Sequence, residues 1–258
     1  MNKKQLILHL AYLYPKSMNI YGDRGNLITL IKRYQWRNIN LIIDEIEVGD
    51  NFNPTKYDFV FAGGGQDIHQ LRIAEDLQNK KTAIIESVNR GTVFLLICGT
   101  YQLFGHYFIT STNNKIAGIG VLDITTIASK IKTGKTKRMI GNITTEIVIP
   151  NFKSEITTLV GFENHSGMTF INKDSSTTYP LGRVIKGFGN NGHDKTEGAC
   201  YKNVFGTYLH GSLLPKNPHF TDFLIKKALE NKYKSSIKLV DLNDTLEYKA
   251  HQFILNHR

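Results

Sequence analysis

The segment Thr92-Val93-Phe94-Leu95-Leu96-Ile97-Cys98-Gly99-Thr100-Tyr101-Gln102 holds the residues best spaced for chemistry. Its unbroken apolar run is the pattern of a strand buried on both faces, and it delivers Cys98 to a glycine and then to a helix-forming stretch. A thiol on such a strand-to-helix turn is exposed near the positive end of a helix, and both conditions favour thiolate. The spacing suits a sulfur nucleophile, with the Gly99 N–H placed to meet an oxyanion. The same residue reads equally well as a small buried hydrophobe, because free cysteines are among the most buried side chains. Cys200 opens a strand with no glycine turn after it and reads as packing.

A thiolate nucleophile needs a base. Among nine histidines, His210 stands out, because Gly206-Thr207-Tyr208-Leu209-His210-Gly211 repeats the order of apolar strand, functional side chain and glycine. His165, in Gly161-Phe162-Glu163-Asn164-His165-Ser166-Gly167, is a second strand-end histidine. Gly63-Gly64-Gly65 also follows an apolar strand, where bare backbone can turn sharply and aim N–H groups at an oxyanion. Two phosphate-loop patterns fail. Ile68 stands where a dinucleotide fingerprint needs its third glycine, and Ser129 stands where a P-loop ending in Gly134-Lys135-Thr136 needs its first. The stretch from Lys130 to Arg138 reads as a solvated basic loop, in which the Arg138 guanidinium is suited to fork onto a carboxylate.

Strands alternate with helices around these residues. Strand patterns cover Gln5–Leu10, Ile39–Val48, Tyr57–Ala62 and Thr92–Ile97, with helical ones over Asn26–Arg37 and about Asp67–Asn89. The second half is richer in β patterns: Ile116–Ile127, Met139–Ile149, Thr157–Glu163, Leu181–Lys186 and Cys200–Tyr208. Helical patterns over Phe220–Glu230 and Leu242–Asn256 follow, and Gly187–Gly192 reads as a loop. The expectation is an α/β fold: an open, mostly parallel sheet flanked by helices, with extra β structure in the second half and one domain over residues 1–258. Apolar residues at 41% and charged residues at 21% exclude a disordered chain, and the longest strongly apolar run, Val93–Cys98, is far too short to span a membrane. No secretion signal is expected at the N-terminus. Two cysteines make neither a disulfide framework nor a zinc set, so a reducing cytoplasm is expected. The net charge of +10 favours an anionic contact, but the aromatic residues are not interleaved with the basic ones as a nucleic-acid platform requires.

Taken in order, Gly63–Gly65, Cys98 with Gln102, Gly161–Gly167 and Thr207–Gly211 resemble the class I glutamine amidotransferases of the cobyric-acid-synthase-like branch. Within it they are similar to the glutaminase subunits of lipid II isoglutaminyl synthases, as are Asn19–Asn26, the Arg138 region and Tyr201-Lys202-Asn203. The resemblance implies a glutaminase in which Cys98 attacks L-glutamine and His210 is general base and acid. Backbone N–H groups of Gly64 or Gly65 and of Gly99 would hold the oxyanion, and Gln102 and Arg138 would hold glutamine. It implies no metal and no cofactor, and a Mur-ligase-like, ATP-dependent partner that uses the ammonia to amidate the D-glutamate of the lipid II stem peptide. A location in the cytoplasm follows, with weak contact between the basic complex and an anionic inner membrane face. Amidotransferases of cobyrinic or cobyric acid synthesis share the chemistry, but those carry a synthetase domain for which 258 residues leave no room. A cysteine-elbow stress protein would leave the late Leu-His-Gly strand unexplained. The chain departs from the broad amidotransferase pattern at Thr100, in place of glycine, and at Ser212, in place of a carboxylate two residues after the histidine. Asp23 and Glu163 are the candidates to orient His210 instead.

Overall fold

A computed structural model describes residues 5–19, 22–65, 67–129 and 137–256. Strand β1 (Ile7–Leu13) is followed by α1 (Arg24–Trp36), β2 (Asn40–Ile46), β3 (Phe59–Ala62), α2 (Asp67–Asn89), β4 (Val93–Ile97) and the short α3 (Gly99–Leu103). The second half contributes β5 (Tyr107–Ile109), β6 (Lys115–Ala117), β7 (Ile124–Ala128), β8 (Met139–Ile147), β9 (Thr158–His165) and β10 (Gly167–Ile171). After these come β11 (Gly182–Lys186), β12 (Thr196–Glu197), β13 (Ala199–Tyr201), β14 (Val204–Thr207), α4 (Pro218–Tyr233) and α5 (Thr245–Asn256).

The main sheet has six strands in the order β13-β14-β4-β3-β1-β2. Every pair is parallel except the hairpin β13–β14. Every residue of β3 and β4 is buried, which is why these strands read as continuous apolar runs rather than as alternating ones. Their register pairs Ala62 with Leu96, and Ile97 with Thr207. The glycine turn, Cys98 and the approach to His210 are thereby brought to one edge, the carboxyl end of the sheet where α/β folds gather ligands. The N–H of Cys98 itself donates to Thr207 O at 2.8 Å.

Two four-stranded sheets, β10-β7-β5-β6 and β12-β11-β8-β9, form the extra β structure. The second is joined to that edge by a bridge in which Phe162 and His210 exchange both backbone hydrogen bonds, at 3.1 and 2.8 Å. The sequence expectation of one long strand over Cys200–Tyr208 is corrected here. Lys202 takes a left-handed φ of 52° and folds the segment into the β13–β14 hairpin, a turn that no glycine announces. The Ile116–Ile127 pattern likewise splits into β6 and β7, and β10 is an addition.

The C-terminal segment is fastened by charge. Arg33, buried on α1, reaches both Asp222 (2.7 Å) and Asp244 (2.5 Å), while Arg37 bonds Asp222 and the Val240 carbonyl. His251 on α5 is within hydrogen-bond distance of Thr158 Oγ1 and the Lys216 carbonyl. No helix among the described residues is long and apolar enough to cross a membrane.

Candidate active site

Cys98 sits at the very end of β4 with φ 52° and ψ −103°, a backbone conformation unfavourable for any residue with a Cβ. Such strain at a strand-to-helix elbow is typical of a nucleophile forced out of the sheet. Thr100 holds the elbow in place. Its hydroxyl lies 3.0–3.1 Å from the carbonyls of Ala62, Gly63 and Ile97, so one side chain ties the cysteine turn to the glycine turn. A glycine could not do this, which gives the departure at position 100 a structural use. The helix after Cys98 is only five residues long. Its dipole is correspondingly weak.

Gly64 marks the point where the groups converge. A Cβ built on it would lie 2.8 Å from His210 Cε1, 3.2 Å from Asp23 Oδ2 and 3.2 Å from Cys98 Cβ. Asp23 is fully buried, and its carboxylate oxygens lie 3.0 and 3.2 Å from His210 Nδ1. Asp23 stands at the N-cap of α1, yet its side chain makes no capping bond; it is turned away from its own helix toward the imidazole. Burial pulls the His210 pKa down, but the charges of Cys98 and Asp23 and their hydrogen bonds outweigh it, and the value is pushed up to about 10. An imidazole that donates Nδ1–H to a carboxylate has its Nε2 oriented for proton exchange with a nucleophile.

Several expectations are refined by this geometry. The Gly64 N–H is committed to Asp23 Oδ2 at 2.7 Å, so Gly64 supports the carboxylate rather than an oxyanion. The N–H groups left for that role are those of Gly65, next along the turn, and Gly99, the first residue of α3. Glu163 does not orient His210. It is buried, and its two oxygens accept from Phe188 N–H (2.8 Å) and Gly189 N–H (2.9 Å) on the glycine-rich loop. Ser212 Oγ donates to the Gly22 carbonyl and packs against Gly25. The position that carries a carboxylate in the broad pattern thus braces the loop that brings Asp23 in.

Gln102 lies one helical turn after Cys98, buried, with its amide donating to Tyr208 OH at 2.9 Å. The Tyr208 hydroxyl also bonds Thr169 (2.6 Å), and its ring stacks on His165 with centroids 3.6 Å apart and planes 5° from parallel. Arg138 is exposed and forks onto the Asn164 side chain and carbonyl. The basic residues Lys130, Lys132 and Lys135 lie outside the described residues, as do Ile20 and Tyr21 of the N-terminal motif. Cys200 is fully buried, and burial pushes its thiol pKa well up. Among the described residues no three metal-ligating side chains gather.

Tyr208 and Glu197 escaped the sequence reading. Glu197 is buried and accepts from Thr207 Oγ1 (2.6 Å) and Tyr208 N–H (2.8 Å), bracing the backbone just before His210; burial raises its pKa to about 7. Tyr208 had a signal in its place two residues before His210. Glu197, far from any motif, had none.

A strained cysteine, a buried histidine and a buried aspartate in this order suit acyl transfer through a thioester. The profile of the CobB/CobQ-like glutamine amidotransferase domain matches residues 9–218. The chain belongs to that family.

Among relatives of this amidotransferase are the GatD subunits of lipid II isoglutaminyl synthase (glutamine-hydrolyzing) from two bacteria. The one from Streptococcus pneumoniae strain R6 is 38% identical, covering 93% of this chain and 87% of the relative. That from Staphylococcus aureus strain N315 is 39% identical, covering 87% and 86%. A probable cobyric acid synthase of Methanococcus maripaludis is 34% identical over 60% of this chain but only 30% of its own length. The fold is shared with the glutaminase domain of a Trypanosoma brucei CTPS, solved with bound acivicin (TM-score 0.55, 12% identity, 90% of this chain and 96% of that one). A Thermotoga maritima glutamine amidotransferase is similar in the same sense (TM-score 0.53, 15% identity, 98% and 94%).

Proposed function

We propose that this amidotransferase is the glutaminase subunit of a lipid II isoglutaminyl synthase, with Cys98 as nucleophile, His210 as general acid and base, and Asp23 orienting the imidazole. The observation that carries the reading is the convergence of these three side chains over Gly64. Identity of 38–39% with two GatD subunits over most of the chain gives it its biological setting. The sulfur attacks the side-chain carboxamide carbon of L-glutamine, and the oxyanion that develops is met by the N–H groups of Gly65 and Gly99. His210 passes its proton to the leaving nitrogen, the C–N bond breaks, and ammonia departs from a γ-glutamyl thioester. Water then attacks that thioester, His210 takes the water proton, and glutamate leaves as the sulfur is regenerated. Gln102, held by Tyr208, walls the pocket one turn from Cys98, and Arg138 is the guanidinium suited to a substrate carboxylate.

The ammonia is consumed by a Mur-ligase-like, ATP-dependent subunit that amidates the D-glutamate of the lipid II stem peptide. The whole chain serves as one amidotransferase unit, a reading supported by the apolar core that runs without a break from Leu8 to Leu229. The work is done in the cytoplasm, and the +10 charge favours weak, salt-sensitive contact with an anionic membrane face. Cys98→Ala and Cys98→Ser test the chemistry. Both are expected to keep the melting temperature within a few degrees and to reduce glutamate release by at least ~10³-fold, since no other group can form the thioester. Undiminished release by Cys98→Ala would remove the mechanism.

A further inference from the structure

On the far side of the pocket wall two buried acceptors face each other, with no donor between them among the described residues. His165 is almost completely buried, and its Nδ1 lies 2.8 Å from the Gly167 carbonyl. A carbonyl only accepts, so Nδ1 carries the proton and Nε2 presents a lone pair. Among the described residues that Nε2 has no hydrogen-bond partner. Facing it at 3.9 Å is Oε2 of Glu163, itself fully buried. This separation is too long for a direct bond, but a single small donor between the two could reach both. Oε2 already accepts from Gly189 N–H at 2.9 Å, so the cost falls on the buried Nε2 lone pair, which faces a carboxylate oxygen unless such a donor joins the two.

The slot lies between the cysteine site and the outside. On its inner side the His165 ring stacks on Tyr208, whose hydroxyl is bonded to Gln102 beside Cys98. One residue before Glu163, Phe162 is backbone-paired with His210. On its outer side Glu163 lies beneath the loop Gly187–Gly189, where a Cβ on Gly187 would meet Glu163 Oε1 at 2.7 Å. Beyond that loop opens a groove of about 450 Å³ lined by Ile140, Asn142, Phe162, Lys186 and Phe188. Ile140, Phe162 and Phe188 are exposed apolar side chains that would keep bulk water from a small neutral molecule leaving there.

We propose that His165 and Glu163 form the first station on the exit route of ammonia, which passes from Cys98 beneath Gly187–Gly189 into this groove. The inference rests on the glutaminase reading. Ammonia carries three N–H donors and can satisfy both acceptors at once. A water molecule fits the same geometry, so the test has to read the transfer of nitrogen rather than occupancy.

The experiment uses the chain in complex with its amidating subunit, counting glutamate released and amidated product formed in the same reaction. Glutamine or ammonium chloride serves as the nitrogen source. His165→Phe keeps a ring against Tyr208 and removes Nε2, while Glu163→Gln places an amide donor in the slot. Losing one hydrogen-bonding station is expected to lower product formed per glutamate by about fivefold, with glutamate release within about twofold of the unaltered complex. Amidation driven by ammonium chloride is expected to be unchanged. Asn142→Trp fills the groove from outside without touching the interior and is expected to lower the ratio in the same way in complexes that still co-elute. A product-to-glutamate ratio that stays at the unaltered value in these variants overturns the route, whether or not total turnover falls; a merely structural role for His165 gives that result. An unaltered complex that releases no glutamate removes the glutaminase reading and the route together.

Discussion

Asp23→Asn isolates the contribution of the buried carboxylate with almost no change in volume. The carboxylate serves two donors at once, His210 Nδ1–H at 3.0 Å and Gly64 N–H at 2.7 Å. An amide has one accepting end and one donating end, so either the imidazole or the glycine turn must face an N–H. The loss is one charge-assisted hydrogen bond plus one unpaired buried donor, about 3–4 kcal/mol, or a fall of ~10²–10³-fold in the rate of glutamate release. A coupled glutamate assay reads this directly. The stability of the same variant checks the electrostatics. The His210 pKa is raised above its ordinary 6.5 to about 10, partly by Asp23. Stabilisation from that source is fully present below pH 6.5 and is lost as pH rises through about 10. The melting temperature of Asp23→Asn should therefore lie furthest below that of the unaltered protein near pH 6, and the gap should close toward pH 10. Glutamate release within twofold of the unaltered protein, or a gap that widens with pH, would refute the reasoning.

Three further substitutions probe the frame around the site. Gly64→Ala places a methyl group 2.8 Å from His210 Cε1 and is expected to abolish glutamate release while circular dichroism stays unchanged. Thr100→Val keeps the shape of the side chain but removes the hydroxyl shared by three carbonyls. It should lower unfolding free energy in urea by about 1–3 kcal/mol and reduce turnover even where the protein is folded. Arg33→Ala leaves the partly buried carboxylates of Asp222 and Asp244 without their main cation. About 3 kcal/mol of stability should be lost, and limited proteolysis should begin in the C-terminal segment around Asp244. Equal stability of Arg33→Ala and the unaltered protein would mean that α5 is held by other contacts.

Local pattern is enough to read a feature when its cause is local. The apolar run into Cys98 and the glycine after it made the elbow legible, because a strand buried on both faces tolerates only apolar residues and the turn needs little bulk. The bounds of α2, expected as about Asp67–Asn89, match for the same reason, since an amphipathic period extends over many turns. The β13–β14 hairpin was not legible, because its left-handed residue is Lys202 rather than glycine or asparagine. The N-terminal aspartate was ambiguous, since an Asp immediately before a helix is the ordinary mark of an N-cap. Only the folded chain shows its carboxylate aimed at His210 instead.

The sequence by itself determined the alternation of elements, the strand-end cysteine and the strand-end histidine, since each follows from hydrophobic period and turn chemistry within about a dozen residues. Tertiary structure alone decided which carboxylate serves His210, which glycine N–H remains for an oxyanion, and that Glu163 holds the Gly187–Gly189 loop. Those choices depend on parallel register and on contacts between residues as far apart in the chain as Asp23 and His210. Neither periodicity nor propensity encodes which distant buried donor a given acceptor will meet.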